Sequence, residues 1–502
     1  MCGIAGAWGG TAQDAVFGML GRLAHRGPDA EGLYRDPEGA GTLGHRRLSI
    51  IDVRGGNQPI GGSSPRASIA ANGEIYNFQE LRAGLGQHAF RTRSDTETAL
   101  ALYEEGVPDF VRQLDGMFAF LIADGDDLIA ARDPIGIKPL YTGRNNGTTY
   151  FASEAKALIG LTDAIEEFPP GTIYHSERGF ERYYTIPQPD PDAYLDEDDA
   201  IREVRATLER AVRKRLISDV PVGAFLSGGL DSSAVAALAR RHVDELHTFA
   251  VGVEGSEDLA AARAVARHID SVHHEYVFTA SEVRALLPSI LYHLESFDQD
   301  LVRSAVPTFL VSRLAAQHVK VVLTGEGADE LFAGYTYYHD IHDPAALQQE
   351  LRRSIGALHS MNLQRCDRMT MAHGLEARVP FLDTELIALS MRIDPAQKLR
   401  REGGRSVEKW ILRRAVEDLL PHNIVWRDKA QFDEGSGSNT LLSSEASWWL
   451  SDSEAAAYRE RTATARLRST EEAVYHSLLS SEFADPGPLL DIVDRWTDDR
   501  QP

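Results

Sequence analysis

Short apolar runs separated by turn-forming residues dominate the first part of the chain. The runs at 48–52, 67–70, 117–123 and 128–131 are each of strand length, with Gly, Pro, Asn or Asp around them. Such runs are typical of β-strands joined by turns. The pattern predicts a β-rich or layered α+β fold for roughly the first 180 residues.

The hydrophobic pattern changes after residue 200. Apolar residues recur at helical spacing at Ile201, Val204, Leu208, Val212 and Leu216. Strand-like runs then alternate with helical ones: strands at 222–226, 246–253 and 319–323, and helices at 234–239 and 259–268. This alternation predicts a doubly wound parallel α/β sheet whose ligand lies beyond the carboxyl ends of the strands. From about residue 380 the pattern is mostly helical.

A proline-rich acidic segment separates the two regions. Residues 186–192 have the sequence IPQPDPD, which is typical of an exposed linker. We therefore expect a domain at 2–185, a linker at 186–200 and a second domain at 201–502.

Composition narrows the function classes. The balance of 52 Lys+Arg against 75 Asp+Glu gives a formal charge of −23, which argues against binding to nucleic acid or an anionic membrane. The only cysteines, Cys2 and Cys366, argue against a disulfide framework, and we expect Cys366 to be inert. No apolar run approaches the ~20 residues of a membrane span and no signal peptide is apparent, so we expect a cytoplasmic protein.

Cys2 directly follows the initiator Met1. If the methionine is removed, one residue carries a thiol and a free α-amino group, with reference pKa values of about 8.5 and 7.7–8.0. An amine that accepts the thiol proton would make Cys2 a nucleophile toward an amide carbonyl. Taken alone, a second-position cysteine is more often an ordinary small residue near a terminus.

The sequence SGGLDSS at 227–233 lies between a predicted strand and a predicted helix. Backbone N–H groups at glycines, a helix amino terminus and serine hydroxyls suit a phosphate, whereas the lack of Gly-Lys-Ser/Thr excludes the loop of P-loop NTPases. The structural alternative is a turn in which Asp231 caps the helix. The third predicted strand leads into TGEGADE at 324–330, which could bind a metal, transfer protons or form a solvated acidic turn.

The 227–233 loop resembles the pyrophosphate loop of N-type ATP pyrophosphatases. In that family ATP is split to AMP and pyrophosphate, and a substrate carboxylate becomes an acyl-adenylate. The resemblance implies ATP as a substrate and Mg²⁺ on the pyrophosphate, since this ion prefers hard oxygen ligands. Two further segments, at 374–383 and 426–432, contain Arg and Lys side chains. These cations could bind a phosphate or a substrate carboxylate, or they could form surface salt bridges.

The N-terminal motifs resemble the glutaminase domain of class II, N-terminal-nucleophile amidotransferases. Besides Cys2 they are HRGPD at 25–29, RRLSIID at 46–52, NGEIYN at 72–77, SDTE at 94–97, RDPIGIKPLY at 132–141 and FASEAK at 151–156. The resemblance implies a layered αββα fold in which Arg47 binds the glutamine carboxylate and Glu74 and Asp95 bind its ammonium. It also implies that Ile50 and Ile51 line the pocket, and that Asn72 and Gly73 form the oxyanion hole.

Together the two halves are similar to the glutamine-hydrolysing asparagine synthetase family over nearly the whole chain. The family mechanism hydrolyses glutamine at Cys2 and passes ammonia inside the protein to β-aspartyl-AMP; a homodimer is a family expectation. The resemblance places ATP contacts on Leu226, Ser227, Gly228, Gly229, Leu230, Asp231, Ser232, Val251, Thr324 and Gly325. It makes Glu326 a base or orienting group, and it assigns contacts with the acceptor, phosphates or pyrophosphate-bound Mg²⁺ to Arg303, Asp329, Glu330, Arg378, Lys429 and Asp231.

One segment departs from the family. Where asparagine synthetases usually have two threonines before the third strand, this chain has Asp300 and Leu301. The leading interpretation is asparagine synthesis from aspartate, and the alternative is amidation of another carboxylate. A synthetase that uses an internal amine, or a non-catalytic binding protein, is disfavoured because Cys2 and the phosphate loop are both retained.

Overall fold

Two antiparallel sheets face each other in the first half of the chain. The computed structural model describes residues 2–10, 14–86, 88–403, 405–429, 432–445 and 448–495. Twelve strands are described here: β1 Gly3–Trp8, β2 Ala30–Arg35, β3 Gly41–Arg47, β4 Ile60–Gly61, β5 Ala67–Ile75, β6 Gly116–Asp124, β7 Asp127–Arg132, β8 Tyr141–Asn145, β9 Thr148–Ala152, β10 Ile165–Glu167, β11 Thr172–His175 and β12 Gly179–Arg182. Their order is β10-β8-β9-β1-β3-β2 in one sheet and β12-β11-β7-β6-β5-β4 in the other.

Helices cover the outer faces of both sheets. They are α1 Ala15–Arg22, α2 Phe78–Gly84 and α3 Thr96–Glu104. Ile4 and Leu43 pack against Leu121 between the sheets, because alternate residues of each strand point inward. Helix α1 approaches β3 closely at Gly44, where a Cβ atom would lie 2.6 Å from the Val16 side chain. The four layers form the αββα arrangement that the family resemblance implied.

A parallel sheet of five strands forms the centre of the second half. The strands are β13 Val222–Phe225, β14 His247–Gly252, β15 Val272–Val277, β16 Val321–Leu323 and β17 Glu376–Arg378. Their order is β15-β14-β13-β16-β17, so the chain builds outward from β13 in one direction and then returns to its other side. Ligands of open α/β sheets bind in the crevice where this reversal occurs, at the carboxyl ends of the strands.

Helices surround this sheet and form most of the C-terminal part. Up to β17 they are α4 Glu197–Lys214, α5 Leu230–Arg240, α6 Glu257–Ile269, α7 Ala280–Leu294, α8 Gln299–Ala315, α9 Ala328–Phe332, α10 Pro344–Ala357 and α11 Asn362–Met371. After β17 they are α12 Thr384–Ser390, α13 Pro395–Lys398, α14 Trp410–Ala415, α15 His422–Val425, α16 Phe432–Ser436, α17 Ser438–Glu445, α18 Asp452–Arg461, α19 Thr470–Ser481 and α20 Gly487–Leu490. A short hairpin, β18 Arg400–Glu402 and β19 Arg405–Val407, interrupts them. In the portion of the chain that the structure describes, no helix is both long and apolar enough to cross a bilayer.

Most predicted elements are confirmed, but the strand predicted at 48–52 is wrong. Those residues form an irregular segment, and the backbone carbonyls of Ile51 and Asp52 accept hydrogen bonds from Arg47 rather than from a neighbouring strand. The apolar residues of the segment are explained by packing, since Ile50 contacts Val321 of the parallel sheet. Helix α4 begins at Glu197, inside the predicted linker, and the domain division itself stays a prediction.

Candidate active sites

Cys2 lies immediately before β1 and is buried against β5. Its backbone nitrogen donates to Asn72 Oδ1 at 2.9 Å, and its Sγ is 4.0 Å from the carbonyl oxygen of Leu48. Burial raises the pKa of the Cys2 thiol. The other side-chain atom of that amide, Asn72 Nδ2, is buried and has no hydrogen-bond partner among the described residues. A buried donor without a partner is costly, so this nitrogen is available for a ligand beside the thiol.

Gly73 continues the strand with a backbone conformation that a side chain would disturb. Its φ is +143°, and a Cβ atom there would lie 1.9 Å from the carbonyl oxygen of Met117 on β6. Only glycine fits between β5 and β6 at this position. The residue that follows Asn72 is therefore fixed by backbone packing.

Arg47, at the end of β3, is enclosed by the irregular segment that follows it. Its Nη1 donates to Asn57 Oδ1 at 2.8 Å and to the Val53 carbonyl at 3.1 Å, and its Nη2 donates to the Asp52 carbonyl at 2.7 Å. These neutral acceptors leave the guanidinium charge without a carboxylate from the described residues. A substrate carboxylate would supply that partner.

Two acidic side chains, Glu74 and Asp95, lie in the same buried region. Burial is the main reason that the pKa values of both are raised, and in Glu74 the neighbouring Glu376 and Asp95 add to it. Asp95 Oδ2 accepts a hydrogen bond from the Ile75 nitrogen at 2.8 Å, whereas Glu74 Oε1 is 3.5 Å from Arg378 Nη2. Clustered buried carboxylates favour a bound cation such as an α-ammonium group.

A cavity of about 450 Å³ opens at the carboxyl ends of β13, β14 and β16. This is the reversal point of the parallel sheet, where a ligand is expected. The residues predicted from sequence that line it are Leu226, Ser227, Gly229, Leu230, Asp231, Ser232, Val251, Thr324, Gly325, Glu326, Asp329 and Lys429.

The loop from β13 to α5 forms one wall of the cavity. Ser232 Oγ lies 3.0 Å from Ser227 Oγ and accepts from the Ser227 nitrogen at 3.2 Å, which closes the loop. Gly228 has a φ of +78°, and a Cβ atom there would lie 2.5 Å from the Ala261 side chain of α6. Gly229 caps the amino terminus of α5, so the partial positive charge of that helix is directed at the cavity.

Two lysines bind the carboxylates of this cavity. Lys409 Nζ lies 2.6 Å from Asp231 Oδ2 and 2.7 Å from Asp329 Oδ1, and Lys429 Nζ lies 2.6 Å from the same Asp329 oxygen. Against the effect of burial, the two carboxylates raise the pKa of Lys409 and the two lysines lower the pKa of Asp329. Asp231 Oδ1 is buried with no hydrogen-bond partner among the described side chains and backbone, so one oxygen remains for a cation.

Glu326 and Glu330 occupy different environments although they are only four positions apart in the sequence. Glu326 lines the cavity and forms an ion pair with Arg365 of α11. Glu330 is buried behind the wall, where Tyr335 donates to it at 2.5 Å and burial raises its pKa to about 7. Glu326 is thus the carboxylate of the pair that a substrate can reach.

The segment that departs from the family also lines the cavity. Asp300 and Leu301, at the start of α8, are both part of its wall. Burial raises the pKa of Asp300, and its Oδ1 lies 3.5 Å from Arg303 Nη1. Arg303 itself points to α19, where it binds Glu471 at 2.6 Å and 3.0 Å, and it does not line the cavity.

A buried ionic network joins the two sites. Arg26 Nε donates to the Cys2 carbonyl at 3.0 Å, and its Nη1 binds both Glu154 of the first half and Asp367 of α11 at 2.7 Å. Arg368, also on α11, donates to Glu295 at 2.8 Å. These charged side chains are at most 3% exposed, so the network has replaced water as their partner.

Comparison with known proteins assigns both halves. Residues 1–183 match the family model described as glutamine amidotransferase domain, and residues 203–345 and 339–486 match that described as asparagine synthase. A glutamine-hydrolysing asparagine synthetase from Sandersonia aurantiaca is 39% identical over 96% of this chain and 96% of its own length. The chain belongs to the glutamine-hydrolysing asparagine synthetase family.

Other members of that family give the same result. The asparagine synthetase from Triphysaria versicolor is 42% identical over 87% of this chain and 78% of its own length. Asparagine synthetase 3 from Arabidopsis thaliana is 43% identical over 87% of this chain and 79% of its own length. Among solved structures, the glutamine phosphoribosylpyrophosphate amidotransferase from B. subtilis is 22% identical, with a TM-score of 0.32 over 48% of this chain and 64% of its own.

The structure brings together most, but not all, of the residues that the family resemblance singled out. Arg378 lies away from the cavity, where it binds Glu376 at 2.6 Å and the carbonyls of Arg215 and Ile217. Gly228, Arg303 and Glu330 support the walls of the cavity and do not line it.

The sequence alone did not single out three side chains of these sites. Lys409 and Arg365 line the cavity and bind its carboxylates, and Arg26 links Cys2 to α11. Only Arg26 lay within a motif that sequence singled out, the HRGPD at 25–29. The other two come to the site through tertiary folding, from 178 residues beyond Asp231 for Lys409 and 39 residues beyond Glu326 for Arg365.

Proposed function

We propose that the protein is a glutamine-dependent asparagine synthetase, a carbon–nitrogen ligase that uses the side-chain nitrogen of glutamine. The observation that carries this proposal is the unpartnered Asn72 amide nitrogen beside the Cys2 thiol, in one chain with a carboxylate- and lysine-lined cavity. The first feature supports attack on an amide, and the second supports activation of an acid by ATP. The family membership of the chain supports the same pairing.

In the first half-reaction the α-amine of Cys2, freed by removal of Met1, takes the thiol proton. The sulfur then attacks the side-chain carbonyl of glutamine, and the negative oxygen that forms is stabilised by Asn72 Nδ2 and the Gly73 N–H. The carbon–nitrogen bond breaks with return of the proton to nitrogen, which leaves as ammonia. Water hydrolyses the thioester to give glutamate and restore the thiol.

Recognition of glutamine needs a cationic side chain for its α-carboxylate and acidic side chains for its α-ammonium group. We assign the carboxylate of glutamine to Arg47, whose guanidinium otherwise binds only neutral acceptors, and its ammonium to Glu74 and Asp95. Burial of these two acids makes a neighbouring positive charge favourable. Ile50 and Ile51 would line the pocket beside the side chain of glutamine.

In the second half-reaction the β-carboxylate of aspartate attacks the α-phosphorus of ATP, and pyrophosphate leaves. We assign the phosphates to the loop from Ser227 to Ser232 and the nucleoside to Leu226, Val251, Thr324 and Gly325. Lys409 and Lys429, which line the cavity beside Asp231 and Asp329, would bind the pyrophosphate, whereas Arg378 lies outside the cavity.

The free oxygen of Asp231 fits a Mg²⁺ ion held jointly with the pyrophosphate. Asp231 Oδ1 is buried and unpartnered, and Asp329 lies on the same pair of lysines. Carboxylate oxygens are the ligands that this ion prefers. When bound, Mg²⁺ neutralises charge on the departing pyrophosphate; Asp231 and Asp329 would hold it.

Ammonia completes the reaction by attack on the acyl carbon, with AMP as the leaving group. Glu326 is the reachable carboxylate that can take the proton from the attacking nitrogen, and Arg365 holds it in place. Asp298 and Asp300 line the cavity and would face the acceptor, whereas Arg303 and Glu330 lie behind its wall. The ammonia passes inside the protein, across the buried boundary between the halves.

The test measures pyrophosphate release with ATP, Mg²⁺ and glutamine, with aspartate as the acceptor and with glutamate, β-alanine and succinate as comparison acids. We expect release that depends on aspartate, with transfer of ¹⁵N from amide-labelled glutamine into asparagine. A response to another acid but none to aspartate would assign a different acceptor, which Asp300 and Leu301 in place of threonines would then explain. A homodimer and a cytoplasmic location remain predictions.

A further inference from the structure

Three histidines cluster near the amino-terminal ends of the strands of the parallel sheet, whereas the cavity lies at their carboxyl ends. His247 is the first residue of β14, His274 lies on β15, and His318 lies between α8 and β16. Each offers one ring nitrogen, and these three nitrogens lie within 4.8 Å of one another. Over the residues that the structure describes, this is the one group of histidine, cysteine and acidic side chains with such spacing.

The spacing of the ring nitrogens is close to that of metal ligands. His247 Nδ1 and His274 Nε2 are 2.9 Å apart, and the rings of His274 and His318 stack with centroids 3.9 Å apart. Two imidazole nitrogens on one tetrahedral Zn²⁺, at about 2.0–2.1 Å each, are about 3.3 Å apart. A small opening of the first pair is therefore enough, and the exposed His318 ring would have to leave its stack with His274 to turn toward the ion.

A carboxylate fixes the orientation of one of these rings. Glu245 Oε1 lies 3.3 Å from His247 Nε2, on the side of the ring away from His274. A carboxylate at this nitrogen keeps the proton on Nε2 and leaves the Nδ1 lone pair for a metal, as in carboxylate–histidine–zinc arrangements. The His274 proton would move from Nε2 to Nδ1 when the ion binds.

The face of the sheet that carries the cluster is otherwise apolar, and a fourth histidine, His273, lies on the opposite face. Phe249 is fully buried, and its ring centroid lies 5.2 Å from that of His274 and 5.8 Å from that of His318. The adjacent His273 points to the opposite face, where Thr248 Oγ1 and Glu275 Oε1 are 2.9 Å and 3.1 Å away. His273 therefore has similar sequence surroundings but no part in the cluster.

We propose that His247, His274 and His318 form a binding site for one Zn²⁺ ion, with water in the fourth position. Neutral imidazole suits Zn²⁺ and poorly suits Mg²⁺, so this site and the pyrophosphate site select different ions. The ion would tie together β14, β15 and the segment before β16. Val251, which lines the cavity, is four residues from His247 along β14, about 13 Å. None of the three histidines lines the cavity itself.

The test uses the full-length, untagged protein after chelation and desalting, titrated with ZnSO₄ in a competition assay with a fluorescent zinc chelator. We expect one ion per chain. His318→Gln should weaken binding by more than about tenfold, as should His274→Gln, because each removes one of three protein ligands. His273→Gln is the matched control and should bind as the wild type does. Glu245→Gln should weaken binding by about tenfold, the lower end of the range for residues that orient a ligand, and by less than His318→Gln does.

Thermal unfolding gives an independent measurement. One equivalent of Zn²⁺ should raise the unfolding temperature of the wild type and of His273→Gln but not of His318→Gln, whose exposed side chain is not needed for folding. Cys2→Ala should show the same rise, which excludes the reactive thiol as the ligand. The proposal fails if no ion binds at micromolar Zn²⁺, or if His318→Gln binds it as tightly as His273→Gln.

Discussion

The guanidinium of Arg26 binds the carboxylate of Asp367 through two nitrogens, at 2.7 Å and 3.2 Å, across the boundary between the two halves of the chain. The same guanidinium holds the carbonyl of Cys2, and Asp367 belongs to the helix whose Arg365 binds Glu326 in the cavity. One helix, α11, is therefore linked to both sites, to Cys2 through Arg26 and to Glu326 through Arg365.

Loss of this ion pair should uncouple the two half-reactions. Asp367→Asn keeps the size of the side chain but leaves the Arg26 charge without one of its buried partners, which typically costs about 3–5 kcal/mol. We expect more glutamate than asparagine from the variant, and equal amounts of the two products from the wild type. Asp383→Asn is the control: it breaks a similar buried pair, with Arg215, in which neither partner binds Arg26 or Cys2, and it should leave the ratio at one. Equal ratios in both variants would contradict this role.

Cys2→Ala should abolish glutamine hydrolysis and leave asparagine synthesis from free ammonia. The thiol is the only group beside Asn72 that the proposal makes nucleophilic, and the cavity does not depend on it. Glutamate release and ammonia-dependent pyrophosphate release measure the two activities separately. Cys366→Ala, which alters the other buried thiol, should retain glutaminase activity. Hydrolysis that persists in Cys2→Ala would remove the basis of the assignment.

Asn72→Asp should lower the glutaminase kcat by about 10²–10³ while changing KM little, because it deletes one oxyanion donor. The substitution retains Oδ1, which accepts from the Cys2 nitrogen at 2.9 Å, so the nucleophile keeps its position. Steady-state glutamate release over a range of glutamine concentrations separates kcat from KM. An effect on KM alone would indicate that Asn72 binds the substrate and does not stabilise the transition state.

Asp231→Asn should stop ATP cleavage and spare glutamine hydrolysis. The variant loses a charge that Lys409 binds at 2.6 Å and the oxygen that we assign to the cation. Pyrophosphate release is the measurement, and glutaminase activity in the same preparation shows that the protein is folded. Unchanged pyrophosphate release would separate the loop at 227–233 from the phosphates.

Lys398 should make stability depend on pH. Burial lowers its pKa from 10.5 to about 7, while Nζ donates to Gln348 at 3.2 Å. Between about pH 7 and pH 10.5 Lys398 is protonated in the unfolded chain and neutral in the folded one. The free energy of unfolding should therefore rise with pH in this range, by up to about 1.4 kcal/mol per pH unit. Below about pH 7 both states are protonated and the full cost of the buried charge is present.

Lys398→Met should remove this slope and stabilise the protein at pH 7, because a side chain of similar length fills the space without a charge. The free energy of unfolding in urea, measured at pH 7, 8 and 9 for both proteins, tests it. Parallel pH profiles for the two proteins would show that Lys398 is not the group responsible.

The sequence predicted the features that depend on local order along the chain. The strand–loop–helix at Ser227 and the position of Thr324 after β16 follow from hydrophobic runs and glycines, and both lie at the cavity. Lys409 could not be found in this way, because its approach to Asp231 depends on how α14 packs. The strand predicted at 48–52 failed for a related reason: its apolar residues face Val321 in the other half.

The charged side chains buried between the two halves determine whether either half can be separated from the other. Arg26, Glu154, Asp367 and Arg368 have exchanged their hydration for one another, so separating the halves would require each charge to recover its water shell. A fragment that ends at the proline-rich linker would expose its share of these charged side chains without their partners from the other half. We therefore expect the two halves to fold as one body, with neither half stable when it is expressed alone.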